Sequence, residues 1–164
     1  MSKQYYHADT YTAQSSVGYL VKRAHGLCLD ALEPGLAEGG LTFLQFAVLM
    51  SIRDKLALNA KDICVSLRHD SGALTRVLDQ LEARGLVQRQ RSAEDRRAIN
   101  LHLTQQGLEA LQSVVPMVVD KINHAVQDFS HAEVDELLRL LNKLILGLGP
   151  EAAAQAGSSA GAST

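Results

Sequence analysis

The 164-residue chain has no tryptophan, only 4% aromatic residues, and two cysteines. Two cysteines make no disulfide framework, and neither Cys28 nor Cys64 stands in a zinc-binding spacing. No apolar run approaches the ~18 residues of a membrane span. The first residues also lack the apolar stretch of a signal peptide. We therefore expect a cytoplasmic protein that needs no cofactor.

Net charge is also nearly absent, at −2, but the charges are unevenly distributed. Residues 68–97 contain seven arginines and five acidic residues, whereas the rest of the chain contains nine Lys/Arg and thirteen acids. A basic segment within an acidic chain is typical of a nucleic-acid contact surface on a larger scaffold. The 46% hydrophobic content predicts a globular fold, and the length suits one domain.

The first half of the chain has the periodicity of amphipathic helices. Apolar residues spaced by three and four predict a first helix from Ala13, ended by Pro34 and the glycines that follow it. Thr42 and Gln45 form a capping box at the start of a second helix, which we expect to reach about Leu56.

Two short helices and a hairpin come next. One helix starts near Asn59, and the other is capped by Asp70 and stopped by Gly85. A turn of about four residues separates them, which is the layout of a helix-turn-helix. Residues 86–91 and 98–103 then predict the two strands of a β-hairpin.

Two long helices complete the pattern. Thr104 caps a helix that contains Pro116, and Ser130 with Glu133 forms a second capping box before a leucine-rich final helix. The outer helices carry more apolar surface than one small domain covers, so we expect a homodimer. Residues 149–164 are of low complexity, and we expect them to be disordered.

The predicted fold class is mainly α with a small β-wing, a winged helix-turn-helix domain flanked by N- and C-terminal dimerisation helices. The predicted boundaries are a flexible N-terminus at 1–12, a dimerisation helix and linker at 13–40, the winged helix-turn-helix DNA-binding domain at 41–103, C-terminal dimerisation helices at 104–148 and a disordered tail at 149–164.

Three segments carry a resemblance to a known family. They are "LTFLQFAVL", "DSGALTRVLDQLEARGLV" and "EDRRAINLHLTQQG". Over roughly residues 15–148, the chain resembles the MarR family of winged helix-turn-helix transcription regulators. The resemblance implies a dimeric, sequence-specific DNA-binding protein, most often a repressor. It further implies a near-palindromic operator in double-stranded DNA and release by a small aromatic or phenolic acid.

The second helix of a helix-turn-helix lies in the major groove, where its first turns meet base edges and phosphates. The corresponding residues here are Arg68, His69, Ser71, Gly72, Ala73, Thr75 and Arg76. Many relatives carry hydroxyl residues where this chain has Gly72 and Ala73, which bring no side-chain donor. We therefore expect Thr75 and Arg76 to make the main contacts.

Four arginines lie between residues 89 and 97, around the tip of the predicted hairpin. We expect Arg91, Arg96 and Arg97 to reach phosphates or the minor groove, whose negative potential favours guanidinium. The resemblance implies that Asp95 pairs with Arg97 and stabilises the wing. The alternative is a solvated hairpin loop, since charged loops are common.

The resemblance also implies an effector pocket between the dimer helices and the winged domain. Arg23 and His25 flank the apolar stripe of the first helix, so a half-buried Arg23 beside Phe46, Met50 and Met117 could bind a carboxylate. His25 could donate to a ring substituent and make binding sensitive to pH. The alternative is an ion pair at the dimer interface for Arg23 and a satisfied edge residue for His25.

Other classes of function have less support. Cys28 lies on an apolar stripe, where thiols are usually inert, so a redox-responsive regulator is the weaker alternative. The six histidines show no i, i+4 pair, so we expect no metal site. We expect no catalytic residues and no enzyme, because no phosphate-binding glycine loop or nucleophile elbow is present. A winged-helix protein-interaction module that does not bind DNA is a further alternative, against which Arg76 and the wing arginines count.

Overall fold

A computed structural model of the chain describes residues 4–91 and 99–149. Its elements in chain order are α1 (Val17–Glu38), α2 (Phe43–Arg53), α3 (Ala60–Leu67), α4 (Ser71–Ala83), β1 (Val87–Arg91), β2 (Ile99–Leu103), α5 (Gln105–Ala125) and α6 (His131–Leu148). The predicted fold class, mainly α with a small β-wing, is confirmed. None of the described helices is by itself long and apolar enough to cross a membrane; α1 and α2 pass that test only as a pair, across a bend of 86°.

The segment before α1 contacts the start of that helix. Ser16 is the N-cap, and its hydroxyl accepts a hydrogen bond from a backbone N–H of the first turn at 3.3 Å. The Tyr6 hydroxyl donates to the carbonyl of Ser15 at 3.0 Å and accepts from the N–H of Val17 at 3.1 Å. The predicted start at Ala13 is therefore wrong. The hydroxyls of Ser16 and Tyr6 accept the hydrogen bonds of the first free N–H groups, and these groups belong to residues from Val17 onward.

The end of α1 also differs from the prediction. Pro34 lies inside the helix, which continues to Glu38. Leu32 and Leu36, on either side of Pro34, have 4% and 0% of their surface exposed. Burial of these two side chains outweighs the one backbone hydrogen bond that proline cannot donate, so the helix ends only at residues 39–40.

The capping box of α2 is present as predicted. Thr42 accepts from the N–H of Gln45 at 3.2 Å, and the Gln45 side chain accepts from the N–H of Thr42 at 3.1 Å. The helix ends at Arg53 rather than near Leu56. The reason is Lys55, whose φ of 55° is left-handed and does not fit a right-handed helix.

The hydrophobic core lies where α2, α4, the sheet and α5 meet. The largest fully buried side chains are Leu36, Leu41, Leu49, Ile63, Leu74, Leu78, Leu81, Leu111 and Val48. Burying each leucine contributes about 2 kcal/mol relative to exposure. The sheet is tied to the segment before α3 by a hydrogen bond of 2.8 Å from the N–H of Leu101 to the carbonyl of Leu58.

The two strands pair antiparallel, with Val87 opposite Leu103 and Arg91 opposite Ile99. Val87 and Leu101 are buried, whereas Gln88 and His102 are exposed. This alternation places one face of the sheet on the helices and leaves the other in solvent.

The end of the sheet is joined tightly to α5. The Thr104 hydroxyl donates to the carbonyl of Gly85 at 2.6 Å and accepts from the N–H of Gly107 at 3.0 Å, and the Thr104 N–H donates to the carbonyl of Leu86 at 3.2 Å. A Cβ atom at Gly107 would overlap the Leu86 carbonyl oxygen. We call this contact, formed by Gly85, Leu86, Thr104 and Gly107, the wing–α5 junction.

Helix α6 begins with the second capping box. The Ser130 N–H donates to the Glu133 carboxylate at 2.9 Å, and the Glu133 N–H donates to the Ser130 hydroxyl at 3.3 Å. The hydrogen bonds from Ser130 lower the pKa of Glu133, because they stabilise the carboxylate. None of the α6 side chains is buried within the described chain.

Two glycine substitutions should have different effects on stability. We expect Gly107→Ala to lower the free energy of unfolding by about 1–3 kcal/mol, because the added methyl group must displace backbone. Gly26→Ala is the matched control, since a Cβ there meets no described heavy atom within 4 Å. That control should be neutral or stabilising by up to about 1 kcal/mol. Urea denaturation followed by circular dichroism measures both; equal effects would contradict the close packing at the junction.

Candidate nucleic-acid interface

The turn between α3 and α4 is shorter than predicted and consists of residues 68–70. Arg68 ends α3 in the left-handed conformation, with a φ of 52°. The N–H of His69 donates to the carbonyl of Cys64 at 3.3 Å. A single left-handed residue reverses the chain quickly enough for α4 to follow α3 almost directly.

Asp70 is the N-cap of α4, as predicted. Its carboxylate accepts from the N–H groups of Gly72 and Ala73 at 2.9 Å and 3.0 Å. These bonds satisfy two of the donors that the first turn of a helix leaves free, and the negative charge interacts favourably with the helix dipole. Gly72 and Ala73 thus help to fix the helix start through their backbone.

One face of α4 is buried and the other is open to solvent. Leu74, Leu78 and Leu81 face the core. The predicted DNA-contact residues of the turn and of α4 are all exposed, namely Arg68, His69, Ser71, Gly72, Ala73, Thr75 and Arg76. These seven residues therefore lie in the turn and in the first turns of α4 with their side chains open to solvent.

The two side chains expected to make the main contacts differ in what they offer. The Thr75 hydroxyl donates to the carbonyl of Ser71 at 2.7 Å, so its proton is already used and its oxygen remains an acceptor. Arg76 forms no ion pair with another residue of the described ranges. Its guanidinium is therefore available to a ligand on this surface, as is that of exposed Arg68, which also forms no ion pair within the described ranges.

The wing continues this surface only in part. Arg91 is exposed at the end of β1, opposite Ile99. Arg96, Arg97 and the proposed wing-stabilising Asp95 lie outside the described residues.

Arg89 was not among the predicted site residues, although it belongs to the same run of arginines. Its Nη2 lies 2.8 Å from Asp79 Oδ1, and its Nη1 lies 2.8 Å from Glu82 Oε2. Both acids are on α4, so Arg89 joins the wing strand to that helix. The sequence signal is strand alternation, because Arg89 shares a strand face with buried Val87.

The predicted effector residues lie on three helices, α1, α2 and α5. His25 lies edge-on to Phe43, with ring centroids 6.1 Å apart, and Phe43 lies 6.5 Å from Phe46. Phe43, which begins α2 and packs against the core, was not among the predicted effector residues. Arg23 is exposed, so the expectation that it is half-buried is wrong for the single chain. The two residues are 200° apart around α1 at 100° per residue, which separates Arg23 from the ring of His25.

The methionines also occupy different places. Met50 is partly buried against the core, whereas Met117 packs on Gly35, near the far end of α1 from Arg23. An open cleft of about 300 Å³ lies elsewhere, lined by residues of the α2 end and β2 that include Ile52, Lys55 and Leu103. None of the five candidate effector residues, Arg23, His25, Phe46, Met50 and Met117, lines it.

The two cysteines considered for redox sensing lie on different helices, Cys28 on α1 and Cys64 on α3. Cys28 and Cys64 are both free and partly buried. Within residues 4–91 and 99–149, no group of three or more His, Cys, Asp or Glu side chains is placed to hold a metal ion.

Comparison with known proteins identifies the family. The model of the MarR family matches residues 41–99. The HTH-type transcriptional regulator SarZ of Staphylococcus haemolyticus is 33% identical over 110 residues, which cover 67% of this chain and 74% of SarZ. The chain belongs to the MarR family. The match to the family model spans the turn, α4 and β1, which are the elements that carry the exposed residues described above.

Solved MarR-family structures share this arrangement. A mutant of Escherichia coli MarR complexed with operator DNA has a TM-score of 0.69 and 28% identity, covering 84% of this chain and 99% of that one. CouR from Rhodococcus jostii RHA1, bound to p-coumaroyl-CoA, has a TM-score of 0.73 and 21% identity, covering 82% and 95%. The predicted resemblance to MarR-family winged helix-turn-helix regulators is confirmed.

Removing the α4 cap should loosen the surface. We expect Asp70→Ala to lower the free energy of unfolding by about 1 kcal/mol, because the N–H groups of Gly72 and Ala73 lose their acceptor. Asp70→Ser keeps an acceptor oxygen at the cap and should retain most of the stability. Urea denaturation of the three proteins measures this; an alanine variant as stable as wild type would show that the cap contributes nothing.

Proposed function

We propose that this protein is a dimeric, sequence-specific DNA-binding transcription regulator, acting as a repressor that a small aromatic carboxylate releases from its operator. The observation that carries the proposal is the exposed face of α4, rigidly capped by Asp70 and presenting Arg76 to solvent. The E. coli MarR structure with operator DNA, 28% identical to this chain, supports the same use of the fold.

Different parts of the surface would contribute affinity and specificity. Arg76 can bind a guanine edge with two parallel hydrogen bonds or bind a phosphate, and Thr75 can accept from a base amino group. Arg68 and His69 at the turn, with Arg91 at the wing, would contact phosphates, and such contacts position the protein but carry no sequence information. Affinity that depends on phosphate contacts falls steeply as salt rises.

The proposed partner in the dimer is a second copy of the chain. The outer helices carry large apolar side chains that the single chain leaves exposed, namely Val17, Leu20, Val21 and Leu27 of α1, Val119 and Ile122 of α5, and Leu137, Leu138, Leu140, Ile145, Leu146 and Leu148 of α6. So much exposed apolar surface on three helices is typical of a subunit interface. Two symmetric copies would recognise a near-palindrome with half-sites about one helical turn apart.

We propose that the effector binds where α1 meets α2. His25, Phe43 and Phe46 form an aromatic edge there that suits a ring. The CouR structure, which shares this fold, contains p-coumaroyl-CoA, an aromatic acyl thioester. Arg23 lies on the other flank of α1, so it would bind the carboxylate only in a pocket that the second copy completes.

Arg76 should control DNA binding. We expect Arg76→Ala to weaken binding to the DNA upstream of the protein's own coding region by about tenfold or more, because one specific arginine contact is worth about 1–3 kcal/mol. Fluorescence anisotropy at several salt concentrations measures this.

Arg139→Ala is the control for that experiment. Arg139 is an exposed arginine on α6 that pairs with Glu136 at 2.7 Å, outside the winged part of the chain. Its loss should leave DNA affinity unchanged. If wild-type protein ignores duplex DNA even at low salt, the protein-interaction alternative replaces the proposed function.

An aromatic acid should couple to DNA binding. We expect benzoate to raise the melting temperature and to lower DNA affinity, since a ligand shifts an equilibrium only by binding one state more tightly. Arg23→Ala should abolish both effects, and His25→Ala should reduce them, with ligand-free DNA binding unchanged. Thermal melts and anisotropy titrations measure the two effects. A normal response from Arg23→Ala would place the carboxylate elsewhere.

A further inference from the structure

Arg89 sits on the inner face of the wing rather than on its solvent face. Along β1, Val87 is buried, Gln88 and Gln90 are exposed, and Arg89 is half-buried. Across the sheet it lies opposite Leu101, which is 4% exposed. The stem of Arg89 therefore packs on apolar surface, and its guanidinium emerges toward α4.

The guanidinium is shared between two carboxylates on α4. Asp79 and Glu82 are three residues apart, so they are neighbours on the helix surface. Arg89 reaches Asp79 with one terminal nitrogen and Glu82 with the other, both at 2.8 Å. A planar guanidinium can make both contacts at once, whereas the single ammonium of a lysine is a point charge with no fixed fork.

The bridged acids lie next to the proposed DNA contacts. Asp79 follows Thr75 and Arg76 by one helical turn, and its side chain is 57% exposed. Left without a partner, these two carboxylates would repel DNA phosphates. A cation that pairs with both acids is poorly placed to bind phosphate itself.

We propose that Arg89 is a positioning residue: by bridging Asp79 and Glu82 it holds the wing against α4 in the geometry that binds DNA, and it does not contact DNA itself. This proposal rests on the proposed DNA-binding function. It separates Arg89 from Arg91, two residues further along the same strand, whose exposed side chain is placed for a phosphate.

The test compares removal of the arginine with removal of its acidic partners. The variants are Arg89→Ala, Arg89→Lys, the double variant Asp79→Asn with Glu82→Gln, and all three sites combined. The DNA probe is the duplex that wild-type protein enriches from a random-sequence library. The positioning role predicts that Arg89→Ala and the double variant each lose about fivefold to tenfold in affinity, since each breaks two partly exposed pairs.

The direction in which DNA affinity changes in the double variant is the decisive observation. Neutralising two acids beside DNA favours binding electrostatically, whereas loss of the bridge weakens binding, so a net loss of affinity in the double variant shows that the bridge outweighs the change in charge. The combined variant should bind no worse than Arg89→Ala, because the three groups act as one unit. Arg89→Lys should lose nearly as much as Arg89→Ala. Tighter binding by the double variant, additive losses, or full rescue by lysine would each overturn the proposal.

A DNA-free measurement keeps this inference separate from the proposed function. Hydrogen–deuterium exchange of the peptide that contains Val87–Arg91 should be faster in Arg89→Ala and in the double variant, because the wing strand is no longer held to α4. Unchanged exchange in both variants overturns the positioning role. If wild type enriches no duplex from the library, the proposed function fails, and the exchange rates still decide whether the bridge holds the wing.

Discussion

The wing–α5 junction is the contact on which the arrangement depends. The Leu86 carbonyl leaves room only for a glycine at position 107, and the Thr104 hydroxyl joins Gly85 to the first turn of α5. The end of α4, both strands and the start of α5 therefore meet at one tightly packed place. Because packed interfaces do not deform continuously, a movement of α5 must carry the wing and α4 with it. In the proposed dimer, this rigidity would link effector binding where α1 meets α2 to the spacing of the two α4 surfaces.

Most of the fold could be predicted because local chemistry determines it. The capping boxes, the Asp70 cap and the strand alternation each need only residues that are close in sequence, and the structure contains them. The errors at both ends of α1 occurred where tertiary contacts outweigh the local pattern. Pro34 does not end α1 because Leu32 and Leu36 are buried around it. The Tyr6 contacts were missed for the same reason, since a tyrosine hydroxyl nine residues from Ser15 leaves no periodic signal.

In the candidate site, only the solvent-exposed residues of α4 could be predicted from the sequence. Helical periodicity was sufficient to place Thr75 and Arg76 on the open face of α4. The role of Arg89 needed knowledge of which helix lies under the strand, because its partners Asp79 and Glu82 precede it by ten and seven residues and lie on another element. The exposure of Arg23 could not be predicted either. An amphipathic stripe indicates which face of a helix is apolar, but not whether a side chain at the edge of that face is buried by another element.

In the proposed complex, two chains together present two α4 surfaces to one duplex. Native mass spectrometry of the protein with the duplex it selects tests this most directly. We expect a complex that contains two 17.7 kDa chains for each duplex. A complex with one chain for each duplex would contradict it.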